Sequence, residues 1–271
     1  MIREAVVAGY FYPGKREVLL STLRELIVFD EPKKEALGIV VPHAGYMYSG
    51  KVAGKVYGKI LPPDVAIIMG PNHTGLGEEI ALFPEGSFLS PLGEVPINSE
   101  LLSLILHEVP WISKDKMAHL KEHSLEVQLP FLQYINPKVE IIALSIRSIK
   151  YEELEKVGSG LAKAVKRFKE MSNKRVLFVA SSDFSHYETQ PVAIEKDNQA
   201  IREILNLSEK GLLERVFKER ISMCGVYPVA LCLVACKHLG AKEAMLIDYK
   251  TSGEVTQDYH SVVGYGGIVI F

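Results

Sequence analysis

The sequence predicts an α/β sandwich, a central and mostly buried β-sheet flanked by helices, in one domain running from residue 1 to residue 271. Three observations carry that expectation. Short apolar runs of strand length recur along the chain, most of them continuous rather than alternating, as in strands covered on both faces. Segments with a helical apolar period separate them, the alternation that builds a parallel sheet. A chain of 271 residues is also long enough to bury about 70% of its unfolded surface without covalent staples.

In order, residues 15–29 set Val18, Leu19, Leu23, Leu26 and Ile27 at helical spacing. Leu37 to Val41 and Val65 to Met69 are the first buried strands. The stretch 80–97, punctuated by Gly86, Pro91, Gly93 and Pro96, reads as a loop or hairpin excursion. Asn98 is a good cap for a helix over 99–108. The strand Val139 to Ile146, an amphipathic helix over 151–169 and the strand Val176 to Ala180 follow. Pro191 falls in the first turn of a helix over 191–206, after Thr189. Residues 228–238 read as a buried helix ended by Gly240. Ala244 to Asp248 and Gly267 to Phe271 complete the strands.

Composition narrows the functional classes. The 31 basic and 33 acidic residues balance to a formal charge of -2, which offers no electrostatic footprint to nucleic acid or an anionic membrane. No run reaches the roughly 18 apolar residues of a membrane-spanning helix, and MIREAVVAGYFYPG lacks the pattern of a secretion signal. Cys224, Cys232 and Cys236 are odd in number and crowded into one segment, which argues for a reducing compartment. A cytoplasmic protein with a small-molecule or peptide ligand is expected.

The chemistry-bearing residues sit just past strand ends. His43 follows the run ending at Val41 in VPHAGY, His73 the run ending at Met69 in GPNHTG, and Asp183 and His186 the run ending at Ala180 in SSDFSHY. The carboxyl ends of strands in an open α/β sheet form the ligand crevice, so these groups should converge there. Two neutral imidazoles and one anionic ligand make an open site able to hold zinc or a redox metal. Singly, each histidine can equally satisfy loop carbonyls. Asp183 and His186 have the composition of a base and its orienting carboxylate, and Ser181, Ser182 and Asp183 also suit a capping role. Cys224 precedes a helix start, where thiolate is favoured, and is either a ligand or a nucleophile. Cys232 and Cys236, four apart, share a packed helix face. In KEHSLEVQLPFL, His123 precedes a short amphipathic helix and is expected behind the metal ligands, whereas His119 has no assigned role. His107 and His238 read as surface residues, and His260 is undecided.

Taken together, AGYFYPG, VPHAGYMYSG, GPNHTG, SPLGEVPIN, EHSLEVQLPFL, SSDFSHY, MCGVYP and VVGYGGIVIF span nearly the whole chain and resemble the MEMO family. That family is similar in fold to the class III extradiol dioxygenases. The resemblance implies His43, His73 and Cys224 as metal ligands, His123, Asp183 and His186 as catalytic or supporting groups, and Phe11 and Tyr48 as pocket walls. A thiolate in place of the dioxygenase carboxylate shifts preference toward copper or zinc and donates more charge to iron. The function so implied is metal-dependent oxidative chemistry on a small or peptide ligand. The alternatives are a non-catalytic module capturing a peptide or small anion, and a zinc hydrolase with His186 as base.

Overall fold

The computed structural model describes residues 1–29 and 32–271. In chain order its strands are β1 (Ile2–Arg3), β2 (Gly38–Val41), β3 (Val65–Pro71), β4 (Ile80–Leu82), β5 (Ser87–Ser90), β6 (Gly93–Pro96), β7 (Ser113–Lys114), β8 (Glu140–Ile146), β9 (Val176–Ser181), β10 (His186–Glu188), β11 (Ala244–Thr251) and β12 (Val262–Ile270). Its helices are α1 (Arg16–Leu26), α2 (Tyr46–Lys59), α3 (Ser99–Glu108), α4 (Leu129–Ile135), α5 (Tyr151–Ser172), α6 (Gln190–Leu205), α7 (Glu209–Lys218), α8 (Val226–Leu239) and α9 (Gly253–Thr256). No helix among the described residues is long and apolar enough to cross a membrane.

The expected α/β sandwich is present. One large sheet runs in the order β10, β12, β2, β9, β3, β8, β4, β7, with β11 also paired to β12, and a small sheet runs β1, β5, β6. The excursion over 80–97 supplies β4 to the large sheet and the antiparallel hairpin β5–β6 to the small one. At the centre, β2, β9, β3 and β8 are parallel neighbours. Their continuous apolar runs follow from cover on both faces. The buried helix α8 packs on β9, β3 and β2 and on α5 and α7, which leaves its residues 228–236 buried, Cys232 and Cys236 among them. Gly240 closes it in the left-handed region at φ 100°.

This topology decides where the site lies. Because β9 stands between β2 and β3, the chain leaves three adjacent strands toward His43, Asp183 and His73 along one edge.

Helix α2 is the main element that the residue pattern does not suggest. Gly50, Gly54 and Gly58 recur every four residues, and glycine weakens an isolated helix by about 1 kcal/mol per residue. Their reason is contact: a Cβ at Gly54 would stand 2.2 Å from the Leu26 carbonyl oxygen and one at Gly58 2.0 Å from that of Val28. The stripe is the groove in which the chain leaving α1 lies.

Propensity and packing therefore oppose each other at Gly54. We expect Gly54→Ala to destabilise the protein by about 1–3 kcal/mol, the cost of overpacking, despite the better helix former. Urea unfolding checks the sign, and a rise in midpoint would mean that the groove is not close-packed.

A three-histidine candidate metal centre

Two loops must reach the strand ends to complete the crevice, and each crosses a glycine. A Cβ at Gly70 in β3 would lie 2.5 Å from Ser124 Oγ, so its absence lets the loop carrying His123 dock on the end of β3. Ser124 Oγ then donates to the Pro71 carbonyl at 3.0 Å. A Cβ at Gly225 would lie 2.5 Å from the Ser181 carbonyl oxygen, so the loop carrying Cys224 can press on the end of β9.

The result is a cleft of about 540 Å³ lined by His43, His73, His123, Asp183, His186 and Cys224, with Phe11, Tyr187 and Ser222 at its sides. One ring nitrogen from each of His43, His73 and His123 lies within 4.8 Å of the others. The His43 side chain is 2% exposed, whereas those of His73 and His123 are 34% and 23% exposed, so the cluster opens on one side.

The tautomers follow from what lies behind the rings. Glu122 is buried and accepts from His73 Nδ1 at 2.9 Å, from the His73 amide at 2.6 Å and from the Ser124 amide at 2.8 Å. Burial alone would raise its pKa, but the hydrogen bonds from His73 and from the Ser124 amide outweigh it and hold the carboxyl down at about 2. An ionised Glu122 makes His73 Nδ1 the donor and leaves the Nε2 lone pair for the cleft. His43 Nδ1 lies 2.9 Å from Ser181 Oγ. That hydroxyl donates to the Ser124 carbonyl at 2.7 Å and accepts from Gln128 Nε2, whose Oε1 accepts from Tyr57. With its one proton already committed, Ser181 can only accept from His43. His43 Nε2 is therefore also a lone pair facing the cleft.

Arg3 holds the His123 loop from outside. Its buried guanidinium donates to the His119 carbonyl at 3.0 Å, to the Glu122 carbonyl and to Glu126. Glu126 accepts in addition from the amides of Val6 and Val7 and from Tyr12 Oη at 2.6 Å.

The donor chemistry fits a cation. Burial, followed by the neighbouring imidazoles, lowers the pKa of His43, and burial lowers that of His123 against the pull of Glu122. A buried carboxylate behind a ring nitrogen, as Glu122 stands behind His73, is the arrangement that orients metal-binding histidines and raises their basicity.

The structure rearranges the expected site. His123, expected behind the ligands, belongs to the three-imidazole cluster. Cys224 stands outside that cluster, with its sulfur 3.3 Å from His43 Nε2 and accepting from the Asp183 amide at 3.3 Å. Its thiol is not poised as thiolate: burial and then the Asp183 charge push its pKa up, which overrides the helix start. Asp183 does not orient His186. Its Oδ1 accepts from the His43 amide at 2.8 Å, while His186 Nδ1 donates to the Ser222 carbonyl at 2.9 Å. Between them Phe184 is fully buried and Ser185 is tied to Asp197 at 2.9 Å. Phe11 lines the cleft, its ring 4.8 Å from that of His123. Tyr48 does not, because in the first turn of α2 its ring lies over Gly45 instead. His119 is buried between Phe83 and Phe88, His107, His238 and His260 lie outside the cleft, and Cys232 and Cys236 are core.

Sequence reasoning missed Glu122, Ser222 and Tyr187. The available signals were the acid immediately before His123 and the tyrosine immediately after His186.

Two outcomes follow. Glu122→Gln should weaken metal binding about 10- to 100-fold, as read by chelator competition, since it removes the charge that fixes His73. Unchanged affinity would assign Glu122 to packing. In the metal-free protein, His43 and His123 are held below 6.5 and His119 at about 4, so the unfolded chain takes up protons first. Their stability contribution is complete above pH 6.5 and is lost as pH falls through the folded values, at up to ~1.4 kcal/mol per pH unit for each fully buried ring. Asp183 and Asp197, raised by burial, act in the opposite sense, gaining stability as pH falls through their folded values. A urea midpoint that does not fall between pH 7 and pH 5 would show that these rings protonate in the native state.

Known proteins resemble this chain over its full length. The profile of the Memo-like protein family matches residues 3–269. MEMO1 family proteins of Methanococcus vannielii and Methanococcus maripaludis are 38% and 40% identical to it, with all of each chain covered. One from Pyrobaculum aerophilum is 37% identical, covering all of this chain and 99% of its own. Among solved structures, an uncharacterized protein from Escherichia coli K12 superposes with a TM-score of 0.50 over 84% of this chain and 98% of its own. At 15% identity that likeness speaks for the fold alone. From the full-length agreement in sequence, the chain belongs to the Memo family.

Proposed function

We propose that the cleft binds a divalent or redox metal through His43, His73 and His123 and uses it for oxidative chemistry on a small or peptide ligand. The observation that carries this reading is the pair of fixed tautomers: Ser181 and Glu122 leave the Nε2 lone pairs of His43 and His73 free beside His123. Iron or copper would supply a redox couple and Lewis acidity, and zinc the second alone.

The protein's own groups do the rest. His186 gives its Nδ1 proton to the Ser222 carbonyl, so its Nε2 is the basic nitrogen and can accept a proton from a bound ligand. Asp183, which lies 4.0 Å from His43 Nε2, adds negative charge beside a cation when ionised. Cys224 can place its proton on His43 Nε2 at 3.3 Å or on the Asp183 carbonyl at 3.6 Å. An ion taking the His43 lone pair removes the first partner, and the sulfur, once ionised, is near enough to join as a further ligand.

The test is the metal content of protein purified without oxygen. His43→Ala, His73→Ala and His123→Ala should each lose most of the metal, Cys224→Ser should lose less, and His186→Ala should retain nearly all of it. Full occupancy in His123→Ala with loss in Cys224→Ser would restore the His43, His73, Cys224 set. A wild-type protein that takes up no iron, copper or zinc would favour the non-catalytic binding module, and zinc alone would favour hydrolysis with His186 as base.

A further inference from the structure

We infer that Tyr187 is a ligand-binding residue of this cleft, its ring selecting molecules that carry a flat apolar group next to the atoms held at the three histidines. The inference rests on the reading of the cleft as a metal site and adds a specificity element to it.

Tyr187 is anomalous in three independent respects. Its backbone has φ 61°, in the left-handed region where a bulky side chain is an outlier. The residue is 81% exposed yet lines the cleft, with its ring centre 5.9 Å from that of His186. It is also the extra residue of a bulge. His186 pairs with Val263 and Glu188 with Val262, so two steps along β10 match one along β12 and Tyr187 is squeezed out of the ladder. Bulges of this kind re-aim a side chain at the rim of a sheet.

The strained conformation is imposed by anchors before Tyr187 and by the return to the ladder at Glu188, which pairs with Val262. Ahead of it, Ser185 donates through its amide and hydroxyl to the buried Asp197, at 2.9 and 2.5 Å, and accepts from the Gly264 amide at 2.9 Å. On the same side, the His186 amide donates to Ser222 Oγ at 2.7 Å. A glycine would satisfy that geometry freely, so what tyrosine adds is its ring. Phe11 against His123 provides a second aromatic surface in the same cleft. A ligand with a metal-binding head and a flat apolar body meets all three features, whereas a small ion meets only the first.

Two chelators with one head and different bodies separate these features. In the cobalt(II)-loaded protein, acetohydroxamate and benzohydroxamate are titrated by the visible spectrum. Tyr187→Ala should weaken benzohydroxamate about 3- to 10-fold, the range of one aromatic contact, and acetohydroxamate less than about twofold. Tyr187→Phe should keep most of the preference. Tyr187→Gly should lose it while raising the thermal midpoint, because the φ is then unstrained. An unchanged ratio of the two affinities in Tyr187→Ala and Tyr187→Gly, or an equal loss for both chelators, overturns the assignment. Wild-type protein that takes up no cobalt, or whose cobalt form binds neither chelator, overturns the metal reading and this inference with it.

Discussion

A carboxylate taken out of water has to be met by donors that do not move, and in this protein that requirement at Glu122 arranges the site. Its three donors come from two places, the backbone and ring of His73 at the end of β3 and the amide of Ser124 in the facing loop. Satisfying the charge therefore fixes the strand exit against the loop and turns the His73 ring, and the adjacent His123 is carried into the cluster. Glu126 repeats the solution one helical turn later, facing the other way, toward the N-terminal segment. Two buried acids four residues apart thus tie one short loop to the sheet on one side and to the chain start on the other.

The sheet was legible because its signals are local. Continuous apolar runs announce strands covered on both faces, and the rule that ligands gather at their carboxyl ends singled out His43, His73, Asp183 and His186, all of which line the cleft. What the sequence did not disclose depends on contacts between distant segments. Residue type allows both His123 and Cys224 to bind a metal, and where each stands in the cleft depends on two loops that dock over Gly70 and Gly225. The glycines of α2 count against a helix until the carbonyls of Leu26 and Val28 are known to lie against them. The three-residue spacing of Asp183 and His186 suggested a hydrogen-bonded pair, but the first meets the His43 amide and the second the Ser222 carbonyl, partners that lie far away in the chain.

The centre also carries a conflict that bears on its chemistry. The His43 lone pair that suits a cation is the acceptor nearest the Cys224 thiol, and the thiol is neutral because Asp183 and burial disfavour its charge. A cation bound there would offset both the burial and the Asp183 charge that keep the sulfur protonated, so metal binding and thiol ionisation would be linked equilibria rather than separate properties of two residues.

The clamp at Arg3 carries a consequence in time rather than space. The carbonyls it holds lie 116 and 119 residues further along the chain, and the carboxylate it pairs with 123 residues further. During synthesis Arg3 waits until more than a hundred further residues have been made before it finds these partners, and closing so long a loop precedes any gain from the contact. The clamp on the histidine loop is thus a long-range closure, made only after the loop and Arg3 are both present.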